Sequence, residues 1–391
     1  MDQVYAEIDA LFDHVVDVRR DLHAHPELSH DEHRTTALIR HEMSQLGLDE
    51  VPVATATGAV FTLEGARPGK TVLLRADIDA LPITEYAGDS FISTTEGIMH
   101  ACGHDGHAAS LLGAATALTR HADVLSGRYV FLFQPAEEGF AGASAMIDGG
   151  ILDLVRPDAA VGCHLASPAP VGLVGVKTGI AMADARSFTL TVAGLGGHGA
   201  AAPTEGNVIV ALARLIDGLG GVATGLRFEE VECSCSAGIV SAGTAANVIP
   251  DRAHLRGTLR TFDDATTSAA LERIDQLCTA VSSSMGVEVS VHYDNHTPAV
   301  CNDGAMAKVV ATAAQGVVGT AGVFAMPPVT PSDDMSEFLL RIPGCYFMVG
   351  AGKADGSSGM HHHPGFAIDE ASLAVAAKVL AGAAIQMAEG S

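Results

Sequence analysis

Short apolar runs alternate with longer stretches patterned at helical spacing, and this alternation restricts the chain to an α/β architecture more firmly than any single motif does. The spacing predicts strands over 59–63, 71–74, 129–133, 159–162 and 345–349. It predicts helices over 3–22, 29–47, 104–120, 141–150, 303–318, 333–340 and 369–388, with His25-Pro26 breaking the first two apart. The fold class expected from this order is α/β, a mixed sheet covered by helices on both faces.

Between about 183 and 293 the rhythm changes. Strand patterning over 186–193, a helix over 207–219, strands over 232–240 and 253–260, a helix near 265–284 and a last strand over 287–293 give the order β-α-β-β-α-β. That is the ferredoxin-like split unit. Sheet-and-helix patterning resumes after it, so it is expected as an insertion: residues 1–182 and 294–391 form one discontinuous domain, and 183–293 a second.

The chain of 391 residues is long enough for a large core and more than one domain. Lys+Arg 22 against Asp+Glu 46 leaves a net charge of −24, which argues against nucleic acid and anionic membrane surfaces as partners. The absence of Trp weakens a base-stacking role further. Seven cysteines, an odd number without framework spacing, point to a reducing compartment. Cys233-Ser234-Cys235 is expected on one strand with both thiols on one face, as packing. The first twenty residues lack the basic start and apolar run of a signal peptide, and no segment reads as long and apolar enough to span a bilayer. The expected location is a bacterial-type cytoplasm.

Ligands of open α/β sheets bind beyond the carboxyl ends of the strands, and the polar groups collect there. Asp77 and Asp79 follow 71–74, Glu137-Glu138 follow 129–133, Cys163-His164 follow 159–162, and His361-His362-His363-Pro364 follow 345–349. Met99-His100-Ala101-Cys102-Gly103-His104-Asp105-Gly106-His107 adds a thiol and an imidazole at the mouth of a helix. Each has a plainer explanation: a capped turn for the aspartates, a solvated loop for the glutamates, a core histidine at 164, an exposed loop for the triple histidine, a packed side chain for Cys102. Their recurrence at one rim favours a metal site. Adjacent glutamates suit such a site, because in extended chain one carboxylate ligates while its neighbour faces a water whose pKa the metal has lowered.

These residues resemble the M20 metallopeptidase family, in its branch of amidohydrolases acting on N-acyl amino acids. The resemblance is carried by Arg20 through Ser29, Arg75 through Pro82, His100 through His107 and Gln134 through Gly139. Further along it is carried by Gly196-Gly197-His198-Gly199-Ala200-Ala201 with Pro203, Asn247-Val248-Ile249-Pro250-Asp251 and His362-His363-Pro364. It implies a two-metal catalytic domain with Cys102, His104, Glu138, His164 and His362 as ligands and Cys102 as the bridge. His361 is the alternative last ligand, and His107 is expected to hydrogen-bond to the ligands rather than to bind metal. It further implies Glu137 as general base, the inserted domain as a lid and dimerisation domain, and His198, delivered from the neighbouring subunit, as the group that polarises the scissile carbonyl or stabilises the oxyanion. Asn247 and Arg260 are implied as substrate-binding residues, Arg260 facing a carboxylate. The expected cofactors are two divalent ions, Zn, Mn, Co or Ni, and the expected partner is a second copy of the chain. Where the branch shows a Ser-Glu-Asp-Phe-like segment, this chain has Ser332-Asp333-Asp334-Met335, which bears on substrate preference. A dipeptidase of the same fold and a non-catalytic metal-binding protein are the competing functions.

Overall fold

The computed structural model describes residues 1–86, 91–139, 141–201 and 205–390, so Pro203 lies outside the described residues. The chain divides into two compact units, one of Met1–Gly179, Cys301–Met326 and Asp334–Ser391, the other of Ile180–Val300 and Pro327–Asp333.

The first unit is built on an eight-stranded mixed sheet. Its strands run in the order Asp49–Val51, Ala59–Glu64, Ser126–Gln134, Arg67–Asp77, Ala159–Pro170, Gly344–Gly352, Val174–Val176, Val323–Ala325. The middle four are parallel, so their carboxyl ends share one rim. They are buried on both faces, as continuous apolar runs such as Tyr129 through Phe133 require. The helices His104–Arg120 and Gly304–Val318 pack against Ala371–Glu389, which lies on the sheet. The Ala371–Glu389 helix corrects one expectation: by length and composition it is apolar enough to cross a membrane. Alanine carries much of its hydropathy, so no run of large apolar side chains marks it in the sequence. In the fold it is a core helix, with Leu373, Ala377, Val379 and Ala384 wholly buried.

The second unit has the order strand Asp184–Ala193, helix Val208–Val222, strands Ser234–Ala242 and Arg252–Thr261, helix Asp264–Met285, strand Glu288–Thr297. Its four-stranded sheet is antiparallel throughout, with Ser234–Ala242 on one edge and Glu288–Thr297 on the other. Phe188, Leu190 and Val192 alternate inward against Leu212, Leu215 and Ile274 of the two helices. Asn207 and Asp263 cap those helices by accepting their first free amides. The expected shared face of Cys233 and Cys235 does not form. Cys233 falls between two strands, its amide bonded to Leu226, and it packs with Phe262, while Cys235 packs against the main core of the unit.

Candidate metal centre

Gly103 has φ +90°, a left-handed conformation open to glycine, and it caps the His104–Arg120 helix. That turn leaves Cys102 just before the helix and His104 in its first turn. Cys102 Sγ lies 3.4 Å from His164 Nε2 and 3.8 Å from His361 Nδ1. The ligand atoms of Cys102, His104 and Glu138 lie within 4.8 Å of one another, as do those of Cys102, His164 and His361. Cys102 therefore belongs to both groups. Glu138 Oε1 is 3.1 Å from Nε2 of His362.

Hydrogen bonds fix which ring nitrogens are available. His104 Nδ1–H donates to the Asp79 carbonyl at 2.9 Å, which turns Nε2 towards the site, buried and without a hydrogen-bond partner. Burial lowers the ring's pKa, but the Asp77 charge and the Asp79 hydrogen bond outweigh it and hold it well above the usual imidazole range, so a cation must displace the Nε2 proton. His164 Nδ1–H donates to the Leu165 carbonyl at 2.9 Å, leaving Nε2 free towards the thiol. His107 is different. Its Nδ1–H donates to Asp77 at 2.6 Å while its Nε2 accepts the Leu165 amide at 2.9 Å, so a neutral ring has nothing left for a cation. His361 Nε2 accepts from the Ser167 amide at 3.3 Å, which puts the proton of the neutral ring on Nδ1, the nitrogen facing the thiol. A buried imidazole nitrogen without a hydrogen-bond partner, beside a thiol and a carboxylate, fits a borderline-soft divalent cation.

Burial and the Glu138 carboxylate push the Cys102 thiol up to about 12. Burial lowers the His164 pKa well below the usual imidazole range, and His107 and His361 lower it further. A cation binding here must displace the thiol proton, and it finds His164 already neutral.

A second tier of carboxylates holds these groups. Asp79 Oδ1 accepts from the Glu137 amide at 3.1 Å, Oδ2 accepts from the Glu138 amide at 3.0 Å, and Ser29 Oγ donates to Oδ2 at 2.7 Å. Arg75, fully buried, donates to Asp77 at 2.7 Å, to Gln134 at 2.8 Å and to Asp334 at 2.8 Å. Asp334 belongs to the segment flagged as a departure, and it also accepts from Gln134 and from the Ala143 amide. Asp77 and Asp79 thus reach the expected rim as supports for histidines and backbone. Sequence reasoning missed Glu32, whose carboxylate accepts the Ala136 amide at 2.8 Å; no spacing signal links two residues so far apart in the chain.

In the second unit His198 is exposed on a two-residue strand paired with Val248-Ile249. Its Nδ1 accepts the Ala200 amide at 3.1 Å, so the neutral ring presents Nε2–H as a donor. The Asn247 carbonyl accepts the Gly199 amide at 2.8 Å, tying the Gly-Gly-His-Gly turn to the Asn247 segment. Half-buried Arg260 donates to the Thr330 carbonyl at 3.0 Å and to Ser332 Oγ at 3.3 Å, with no acidic partner among the described residues.

A parallel-stranded α/β core with a thiol, imidazoles and carboxylates collected at its carboxyl rim defines a metal-dependent hydrolase. The chain belongs to Peptidase family M20/M25/M40, which it matches over residues 73–386. It is 37 % identical over 360 residues to the N-acetyl-L-cysteine deacetylase of Bacillus subtilis (strain 168), covering 92 % of this chain and 84 % of the relative. It is 35 % identical over 288 residues to the N-acyl-L-amino acid amidohydrolase of Geobacillus stearothermophilus, covering 73 % and 77 %. Among solved structures it resembles the Bacillus subtilis YXEP protein, described as a dinuclear metal-binding peptidase of the M20 family. The TM-score is 0.81 at 32 % identity, with 97 % of this chain and 99 % of that one covered. The chain is a metal-dependent amidohydrolase.

Proposed function

We propose that this chain hydrolyses the amide bond of N-acyl amino acids at a two-metal centre that Cys102, a member of both ligand groups, would help to hold. The observation that carries the proposal is the convergence on one thiol of two ligand groups, each with an imidazole nitrogen turned towards the site by a hydrogen bond on its other side. His104, Glu138, His164 and His362 complete the set. His362 is chosen over His361 because its Nε2 faces Glu138 at 3.1 Å, whereas His361 turns a protonated nitrogen to the thiol. His361 then donates to the thiolate.

These residues would hold two divalent cations, Zn, Mn, Co or Ni, which when bound would supply Lewis acidity for the amide carbonyl and for water. Glu137, buried beside Glu138, takes the proton of the attacking water and returns it to the departing amine. His198 Nε2–H stabilises the developing oxyanion from the lid of a second subunit. Arg260, lacking an acidic partner among the described residues, receives the substrate carboxylate, and Asn247 helps to hold the substrate. The exposed edge strand Ser234–Ala242, with Ile239 and Val240 more than half accessible, supports a homodimer formed through the lid. Seven unpaired cysteines support a reducing location, the cytoplasm.

The test is a panel of N-acyl amino acids beside dipeptides, assayed after metal reconstitution and elemental analysis. Glu137→Ala is expected to keep its metal and lose at least about a hundredfold in kcat. Cys102→Ser is expected to lose metal occupancy. Normal turnover by Glu137→Ala would remove the mechanism, and metal uptake without turnover of any amide by the wild type would favour a binding protein.

A further inference from the structure

The segment after the Ser126–Gln134 strand presents two adjacent carboxylates, and its conformation is unusual at the residue just before them. Ala136 has φ +54°, the left-handed region that a residue with a Cβ disfavours. Three successive amides leave this turn, and each is captured by a buried carboxylate. The Ala136 amide donates to Glu32 Oε1 at 2.8 Å, the Glu137 amide to Asp79 Oδ1 and the Glu138 amide to Asp79 Oδ2. The Ala136 carbonyl in turn accepts the Gly142 amide at 3.1 Å, closing the loop on itself.

Asp79 also holds His104, which accounts for its place. Glu32 touches no proposed ligand. It precedes the His33–Gln45 helix, is wholly buried, and its second oxygen accepts from Thr57 Oγ at 2.6 Å. No basic side chain pairs with it among the described residues. Burying a carboxylate without a cation is unfavourable, and here its polar contacts outside its own helix end are one threonine hydroxyl and the amide of the left-handed alanine.

We propose that Glu32 is a positioning residue, whose capture of the Ala136 amide holds residue 136 left-handed and so fixes the directions in which Glu137 and Glu138 leave the backbone. The assignment rests on the reading of Glu137 as base and Glu138 as ligand. Reach is what matters in it, because the acceptor must meet one particular amide.

Length and charge are separated by two variants. Glu32→Asp keeps the charge but draws the carboxylate back by about 1.5 Å. Glu32→Gln keeps the reach with a neutral, weaker acceptor. Glu32→Asp is expected to lower kcat about tenfold, with KM and metal content unchanged and faster hydrogen exchange in the 134–139 peptide. Glu32→Gln is expected to fall only about threefold. Adding Ala136→Gly to either background should recover most of the loss, since glycine adopts the left-handed conformation freely. Should Glu32→Asp fail to fold, the rescue is read on Glu32→Gln. Wild-type kcat in Glu32→Asp, an equal or greater loss in Glu32→Gln, or no recovery by glycine would overturn the role. Glu137→Ala is assayed alongside. Its normal turnover would remove the general-base reading, while an inactive Glu137→Ala beside a fully active Glu32→Asp would remove the positioning role alone.

Discussion

Asp79 and Glu32 grip the same loop with buried carboxylates, yet their electrostatic situations are opposite. Burial raises the Asp79 pKa, but the hydrogen bond and charge of His104 outweigh it and hold the group below the usual carboxylate range. Burial raises the Glu32 pKa too, and its hydrogen bonds do not cancel the effect. For an acid whose folded pKa is raised, the native state holds its proton longer than the unfolded chain. Stability is then greatest below the unfolded value of about 4.3 and declines as pH rises from there through the folded value. Glu32→Gln removes that decline. The difference in unfolding free energy between this variant and wild type should therefore move in favour of glutamine as pH rises through that window, measured by urea denaturation. A difference flat with pH would mean that Glu32 is not strained by its burial. At this scale the sequence discloses donor types and not their partners. Cys102, His104, Glu138 and His164 stand out in the sequence as candidates by donor type and by their recurrence beside apolar strand ends, although each alone has a plainer explanation, and their ligand atoms do gather. Glu32 does not stand out, because it captures a backbone amide, which any residue type carries, from a strand end 104 residues away.

Elements are legible where their periodicity runs long enough. The central strands and the His104–Arg120 helix follow the apolar pattern, although the strands extend beyond it, as Arg67–Asp77 does past 71–74 at both ends. The three-residue strands Val174–Val176 and Val323–Ala325 have too few residues to show an alternation, and pairing alone defines them. The Gly142–Asp148 helix shows how closely the segment after the Ser126–Gln134 strand is packed. A Cβ at Gly142 would lie 1.7 Å from the Pro135 carbonyl oxygen, so backbone has to move. Gly142→Ala is expected to cost about 1–3 kcal/mol of stability by overpacking and to lower kcat, since Pro135 precedes Ala136 directly. Gly316, in the Gly304–Val318 helix, has open space at the same position. Gly316→Ala should stabilise by about 0.5–1 kcal/mol without affecting turnover. Thermal melts and steady-state assays on the pair check both outcomes.

For the whole molecule, the exposed Ser234–Ala242 strand is the feature that most needs an explanation. An unpaired edge bearing Ile239 and Val240 invites association, and a charge placed on such an edge is how proteins prevent it. Ile239→Lys is expected to convert the proposed dimer to monomer in sedimentation velocity. If His198 acts across that interface, kcat falls with the dimer while metal content stays constant. A monomeric wild type would remove both the dimer and the His198 assignment.

The order of strands in the large sheet has a consequence for how the chain is made. Gly344–Gly352 inserts between Ala159–Pro170 and Val174–Val176, so a strand translated late completes the middle of a sheet begun early. Residues Ile180–Val300 lie between these segments and carry nearly all of their own unit. On the ribosome that unit can close while the edge of Ala159–Pro170 still waits for its neighbour. Its parallel edge then stays open throughout the synthesis of the insertion, the interval in which mispairing is most dangerous. Elongation speed across the insertion therefore sets how long that edge stays unpaired.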